Sequence, residues 1–277
     1  MRLKFVSEEK VLQMGTDDGF DASIIEISGL GVPEKKYNTT RYVDMPGQIT
    51  VSASVLPREI SIKGDIRIAK SMPIGAYHIF FLNGGELYIF TQRGKKKIAY
   101  NPKSFKTGQK NGDFVSFELC IICDFPYFSD SVNNAYRIYK RIDKITDDFI
   151  LPAVFTERVT EADIINSGQV DAEPLIKIEC TKQGVYSGGI RLYNALTQKE
   201  LKLDVNLSLG EIIEIDVNKR TVSSNMRQNC FGVLSQNCVL SEFVLGKGIN
   251  HISLFNQNDG ETVSCSISFD NLYAEAI

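Results

Sequence analysis

The residues that could carry chemistry are few and lie far apart in the chain. Cys120 and Cys123 have the two-residue spacing that zinc and redox motifs use. No second pair of cysteines or histidines follows at a matching distance. Side chains three positions apart in a strand also point to opposite faces of the sheet. The spacing therefore favours two separately packed thiols over a metal centre or a redox pair.

Catalysis by a nucleophile or by an acid–base pair has no better support. The chain has two histidines, His78 and His251, and neither lies near a serine or cysteine in a nucleophile-elbow pattern. Neighbouring carboxylates such as Asp17-Asp18 fall in turn-like segments, where charged side chains are usually solvated. We therefore predict that the protein is not an enzyme and that it uses no metal or cofactor.

Composition argues against further classes of protein. The 277 residues contain 31 Lys and Arg against 34 Asp and Glu, a net charge of −3, whereas a surface devoted to nucleic acid needs a clear basic excess. Hydrophobic residues make up 43% of the chain, enough for a large core. No run approaches the length of a membrane span. The six cysteines lack framework spacing and indicate free thiols in a protein made in a reducing cytoplasm.

Most of the sequence has the alternation of a β protein. Residues 49–56 and 59–68 alternate apolar with polar side chains on either side of Pro57. One helix is predicted near 71–82, where Ser71 suits an N-cap and Ile74, Tyr77, His78 and Phe81 follow at helical spacing. From Pro152 onward, short strands succeed one another at regular spacing with little helix, which is typical of a β-sandwich. The change in character near 146–150 predicts two domains, 1–147 and 148–277.

Short motifs in a fixed order run along nearly the whole chain. In the first half they are ISGLGVPEKKYNTT from Ile27, Pro57-Arg58-Glu59-Ile60 followed by Gly64, and CDFPYF from Cys123 to Phe128. In the second half they are Asn166–Ile178, Gly210–Val222 and Leu245–Ile252. In order and spacing these segments resemble the distal tail protein (Dit) family of long-tailed phages.

The resemblance implies a mainly β protein. It would have an N-terminal split β-barrel with a helix and an extended arm at about 32–56, followed by a C-terminal galectin-like β-sandwich. Val51, Val55 and Ile60 would supply the buried face of the arm, and Asn38, Thr39 and Gln48 would face the other way. An ordinary surface hairpin packed on its own domain is the alternative for this segment.

The resemblance also implies a structural role. Copies of the chain would form a homohexameric ring that joins the tail tube to the tail tip or baseplate and leaves a channel for DNA. Its partners would be further copies of itself, a tail-tube protein, and a tail-associated lysin, tail-tip or receptor-binding protein. DNA would pass without sequence recognition, and no membrane is involved. The protein would be made in the cytoplasm of a bacterial host and reside at the virion tail tip, with the source an infectious phage, a prophage or a phage-derived device.

A carbohydrate-binding β-sandwich that acts in adsorption to the host surface is the second hypothesis. Tyr186, Tyr193 and Phe255 would be its aromatic platform. Tryptophan is absent from the chain, and the histidine, asparagine and arginine arrangement of galectins is not apparent. A β-rich hydrolase is the third hypothesis, and it lacks an assembled acid, base or nucleophile.

Overall fold

The computed structural model describes residues 1–16, 19–44, 46–68, 73–92, 94–138, 140–143, 156–159, 161–181, 189–227, 230–256 and 263–276. They divide into two compact units, Met1–Ser131 with Tyr273–Ile277, and Val132–Leu272. The chain thus leaves the first unit and returns to it some 140 residues later. The predicted boundary between 147 and 148 lies outside the described residues. Among those described, no helix has the length and apolarity to cross a membrane.

The first unit is built from the strands of the first half of the chain and one helix. In chain order these are β1 (Arg2–Ser7), β2 (Lys10–Gly15), β3 (Ala22–Ser28), β4 (Lys35–Thr40), β5 (Ile49–Val55), β6 (Arg58–Arg67), α1 (Ile74–Phe80), β7 (Gly85–Thr91), β8 (Gly94–Asn111), β9 (Phe114–Cys123) and the first residues of β10 (Phe128–Arg137).

Seven of these strands close into a barrel, which confirms the predicted β-barrel. The hydrogen-bonded order is β1-β2-β3-β6-β9-β8-β7, and β7 pairs back with β1. Strict alternation directs the packing: Ile60, Ile62 and Ile66 of β6 point into the core, while the residues between them face outward. Closure leaves these seven strands without an open edge.

The predicted helix is present but shorter, and its buried face differs from the prediction. Tyr77 and Phe80 are its buried residues, and Phe81 is buried just beyond it. His78, which we expected on the packed face, is exposed, because Phe80 occupies that face instead. The Tyr77 hydroxyl donates a hydrogen bond of 2.8 Å to the Asp21 carbonyl and ties the helix to the barrel. The predicted N-cap Ser71 lies outside the described residues.

The second unit contains the remaining strands. They are β11 (Lys140–Asp143), β12 (Thr156–Val159), β13 (Glu161–Asn166), β14 (Leu175–Cys180), β15 (Ile190–Asn194), β16 (Lys199–Leu203), β17 (Ile212–Asp216), β18 (Thr221–Ser224), β19 (Gly248–Asn256) and β20 (Val263–Tyr273), with short 3-10 helices at Phe231–Val233 and Leu240–Glu242. The succession of short strands predicted from Pro152 onward is thus present among the described residues.

Two sheets enclose the core of the second unit. One sheet has the order β13-β19-β15-β16, and β18-β17-β14-β20 are consecutive strands of the other. Apolar side chains from both, such as Leu192 and Ile252 of the first and Ile178 and Cys265 of the second, belong to one buried cluster. This arrangement confirms the predicted β-sandwich.

A buried carboxylate holds the loop that precedes β17. The Glu211 side chain is 1% exposed, and the Arg227 guanidinium contacts both of its oxygens, at 2.6 and 3.0 Å. The Ser208 amide and the Ser224 hydroxyl each donate a further hydrogen bond of 3.0 Å. Burial alone would raise the pKa of Glu211, but the hydrogen bonds and the charge of Arg227 outweigh it and hold this pKa below its ordinary value.

The Glu211 pair predicts a specific pH dependence of stability. Because its folded pKa is depressed, Glu211 stabilises the fold above its unfolded pKa of about 4.5, and this contribution is lost as the pH falls through the folded value. Arg227→Ala should lower the free energy of unfolding near neutral pH by about 3 kcal/mol, since it leaves a buried carboxylate unpaired. Glu211→Gln should flatten the acid limb of the stability profile.

Urea unfolding followed by circular dichroism across pH would measure both effects. Lys177→Ala is the matched control, because it breaks the half-exposed pair with Glu214, which contributes less than about 1 kcal/mol. An acid limb in Glu211→Gln as steep as that of the wild type would contradict this account.

Candidate assembly surface

Residues 34–56 form a separate two-stranded hairpin. Strand β4 pairs with β5 in an antiparallel register that runs from Lys35 opposite Val55 to Thr40 opposite Ile49. The Leu56 amide donates a hydrogen bond of 2.9 Å to the Glu34 carbonyl and closes the ladder. Every side chain of β4 is exposed, as is every side chain of β5 except the half-buried Val55. The two strands are therefore not packed on the barrel as an ordinary surface hairpin would be.

The register gives the hairpin one apolar and one polar face. Tyr37 lies opposite Ala53 and Lys35 opposite Val55, so these four residues share a face that is apolar apart from Lys35. Tyr37 is 57% exposed. A two-stranded ribbon has no core of its own and is marginal in water. The apolar face is therefore left largely uncovered in the single subunit.

The opposite face is polar. Asn38 lies opposite Ser52, and its side-chain amide donates a hydrogen bond of 2.9 Å to the Ser52 hydroxyl. Lys36 lies opposite Ser54 on the same face. The pairing shifts between Asn38 and Thr39, so Val51 has no partner in β4 and forms a bulge.

Five of the six predicted arm residues lie in the hairpin segment. Asn38, Thr39, Gln48 and Val51 are exposed, and Val55 is half-buried. The prediction for Ile60 was wrong. It lies opposite Ile121 of β9, fully buried in the barrel core. The apolar alternation runs on past Pro57, so the pattern alone could not mark where the hairpin ends and the barrel begins.

One arginine forms hydrogen bonds with several main-chain segments at the base of the hairpin, where it joins the barrel. Arg58, the first residue of β6, is 4% exposed. Its Nη1 donates to the carbonyls of Gly29 and Gly31 at 2.6 and 2.5 Å, its Nε to Pro126 at 2.7 Å, and its Nη2 to Ala274 at 2.7 Å. Four short hydrogen bonds thus converge from three segments that are distant in sequence.

The surroundings of Arg58 compensate for its burial. The guanidinium carbon lies 4.5 Å from the centre of the Phe128 ring, within cation–π range. Burial lowers the pKa of Arg58, but an arginine stays protonated in proteins. The four carbonyl dipoles take the place of water around the charge. In the sequence, Arg58 is visible only as part of a short motif, because its acceptors are main-chain groups that leave no trace there.

Residues 274–276 complete the base. The Ala276 amide donates a hydrogen bond of 3.0 Å to the Leu30 carbonyl. Ala276 and Leu30 are each 3% exposed. Just before this segment, the Tyr273 hydroxyl lies 3.4 Å from Asp130, and the Lys96 ammonium sits over the Tyr273 ring. The segment that follows β20 is therefore anchored in the first unit.

The basic run Lys95–Lys97 is partly engaged in contacts within the fold. Lys96 packs on Tyr273 as described, and Lys95 lies 4.4 Å from the centre of the Tyr88 ring. These contacts are cation–π interactions. Two of the three lysines of Lys95–Lys97 are thus held by aromatic side chains.

The thiols and histidines do not assemble into a site. Burial raises the pKa of Cys120 to about 11 and that of Cys123 to about 12, which disfavours the thiolate of each. His251 pairs with Asp163 on the surface of the sandwich. His78 belongs to the first unit, where its ring lies against that of Phe105. Within the described ranges, no three His, Cys, Asp or Glu residues are grouped to hold a metal ion.

The proposed aromatic platform is only partly observed. Phe255 is 44% exposed, and Tyr193 lies on the neighbouring strand β15. Tyr186 falls outside the described residues. The guanidinium of Arg191, directly opposite Phe255 in the register, lies 4.4 Å from the centre of its ring. The platform is therefore occupied by the protein's own arginine.

Comparison with known proteins finds likeness in structure but not in sequence. No protein-family model and no curated protein sequence matches the chain. The barrel, helix, exposed hairpin and sandwich together have the fold of a phage baseplate hub protein.

Two solved structures show this likeness along nearly the whole chain. One is the SPP1 Dit (gp 19.1) protein, a paradigm of the hub adsorption apparatus in phages that infect Gram-positive bacteria. It is matched with a TM-score of 0.67 and 11% identity over 96% of this chain and 98% of the other. The second is a chain of the phage P2 baseplate in its activated conformation with Ca, with a TM-score of 0.50 and 11% identity over 96% and 97%. The described chain therefore has a Dit-like fold.

The glycines at the hairpin base yield a second prediction. Gly29 has a φ of +87°, and a Cβ there would lie 2.1 Å from the Glu59 carbonyl oxygen. Gly29→Ala should therefore destabilise the first unit by more than about 1 kcal/mol. At Gly31 nothing lies within 4 Å of an added Cβ, so Gly31→Ala should change stability by less than about 0.5 kcal/mol.

Tyrosine fluorescence during urea unfolding is a suitable measurement, since the chain has no tryptophan. Both variants keep the main-chain carbonyl that accepts a hydrogen bond from Arg58. They therefore differ only in the position at which the methyl group is added. Equal stability of the two variants would contradict the close approach seen here.

Proposed function

We propose that the protein is a structural subunit of a phage tail hub and that it assembles as a homohexameric ring. The observation that carries the proposal is the hairpin of β4 and β5, an amphipathic ribbon exposed on both faces beside a closed barrel. The likeness to the SPP1 Dit fold over 96% of the chain supports it. No catalytic residue is required for this role.

The physics of ring formation explains why the hairpin matters. A ring of identical subunits needs a heterologous interface, in which two different patches of each subunit meet. The seven strands of the barrel are already paired on both sides, whereas β4 and β5 pair only with each other among the described strands. Each hairpin strand therefore has an open edge. Such an edge, together with an apolar face, allows pairing with a neighbouring subunit through main-chain hydrogen bonds.

The ring would connect other tail components. In this proposal one face meets the tail-tube protein, and the other meets a tail-associated lysin, a tail-tip protein or a receptor-binding protein. DNA would pass through the centre without sequence recognition, in keeping with a net charge of −3. The subunit would be made in the cytoplasm of the bacterial host and would reside at the tail tip of the virion.

Carbohydrate binding is less well supported than assembly. The only described aromatic side chains of the proposed platform are Tyr193 and Phe255, and Arg191 stacks on the latter. A sugar would have to displace this guanidinium before it could stack on the ring. The exposed hairpin, by contrast, has its apolar face already available.

Assembly can be tested by light scattering after size exclusion. We expect a mass near six times the 31.0 kDa of one chain. Tyr37→Asp and Ala53→Asp place a charge on the apolar face of the hairpin and should reduce the mass to that of a monomer. Both positions are exposed in the single subunit, so the monomer should keep its thermal stability.

Ser54→Asp is the matched control, because it adds the same charge on the polar face and should leave the ring intact. A wild-type chain that stays monomeric at high concentration, also when mixed with a tail-tube protein, would contradict the proposal. A ring that is indifferent to all three substitutions would show that the hairpin is not part of its interface.

A further inference from the structure

We propose that residues 274–276 and Arg58 form a clamp that fixes the orientation of the hairpin, so that a subunit becomes competent for assembly only once its chain has been synthesised and folded through residue 276. The inference deepens the proposed function and rests on it for the role in assembly. The clamp itself is a property of one subunit and can be tested without a ring.

The clamp depends first on how the hairpin is attached. Two connections join it to the barrel: residues 29–34 lead into β4, and residues 56–57 lead from β5 to β6. Arg58 ends the second connection with its backbone, while its side chain binds the carbonyls of Gly29 and Gly31 in the first. One residue therefore holds both connections, and the angle between hairpin and barrel depends on it.

Residues 274–276 contribute two hydrogen bonds to the clamp. The Ala274 carbonyl accepts from Nη2 of Arg58 at 2.7 Å, and the Ala276 amide donates to the Leu30 carbonyl at 3.0 Å. The first bond holds the side chain of Arg58, and the second holds Leu30 in the connection that leads into β4. Without them, the guanidinium would lose an acceptor in a buried site and Leu30 would lose its donor. An unpaired buried polar group is unfavourable, so the clamped arrangement would give way to looser ones.

The residues that form the clamp lie far apart along the chain. Arg58 and Ala274 are 216 positions apart. Between residues 274–276 and the rest of the first unit, the chain forms the whole second unit, residues 132–272. The clamp can close only after that unit has been made and its two ends lie where the fold places them. A partly synthesised chain therefore carries an exposed ribbon that is not yet held in position.

The chemistry of the side chain explains why arginine is needed. A guanidinium presents its N–H groups in a planar, rigid fork, whereas a lysine ammonium is a point charge on a flexible stem. Arg58 uses Nε, Nη1 and Nη2 toward three different segments at once. Lysine would keep the charge but could not reach all of these carbonyls.

Electron–electron distance measurement between two spin labels tests the clamp. Cys120 and Cys238, the two cysteines that are not fully buried, would first be replaced by serine. Labels would then be attached at Lys36→Cys in β4 and at Glu9→Cys between β1 and β2, both exposed positions. We expect one narrow distance distribution in the otherwise wild-type chain and a clearly broader one in Arg58→Lys.

Two further variants separate the clamp from general stability. Ala276→Pro removes the amide that donates to Leu30 while Arg58 stays in place, and it should broaden the distribution as well. Arg227→Lys weakens the buried pair in the other unit and should lower the melting temperature without broadening the distribution. Ala276→Pro also keeps the test decisive if Arg58→Lys fails to fold.

The mass of the assembly is then measured for the same variants. Loss of the ring in each variant with a broadened distribution supports the inference. A narrow distribution in folded Arg58→Lys and Ala276→Pro would overturn the clamp, and unchanged rings despite broadening would overturn its role in assembly. If the wild type forms no ring, the proposed function fails, while the comparison of distance distributions still decides whether the clamp exists.

Discussion

The organisation of the first unit depends on one buried positive charge. A guanidinium at 4% exposure must replace its lost water with protein dipoles. Arg58 does so with carbonyls from three segments. Because those acceptors belong to the backbone, the guanidinium holds the main chain of each segment directly. The connection into the hairpin, the loop after β9 and the segment after β20 are thereby held at one point.

Local patterns were the part of this fold that the sequence could predict. The alternation of β6 and β9 and the succession of short strands after β12 follow from period-two burial, which each segment carries by itself. The arm at about 32–56 was implied by the resemblance and not by burial, since nearly every side chain of β4 and β5 is exposed. Ile60 was misassigned because the alternation is identical in an exposed ribbon and in a barrel strand. The sequence pattern shows the spacing of apolar residues, but not the strand or surface against which they pack.

Long-range contacts were the part that the sequence could not predict. The pairing of β7 with β1, which closes the barrel, and the return of residues 273–276 depend on where distant segments meet. In the sequence, Arg58 was only one residue of a short motif, and nothing in its neighbours indicated four carbonyl acceptors. The likeness to SPP1 Dit at only 11% identity fits this division. Patterns of burial can persist when most of the individual residues have changed.

The bulge at Val51 bears on how the exposed hairpin avoids unwanted strand pairing. An exposed, flat, two-stranded ribbon is a template for indiscriminate strand addition, and so for fibrous aggregates. The unpaired residue breaks the regular ladder and increases the local twist. Lys35 and Lys36 place two positive charges at the start of the same ribbon, and lysine on an edge strand discourages stacking of identical copies. The hairpin that we propose for assembly thus also carries features that discourage unspecific strand pairing between copies of the chain.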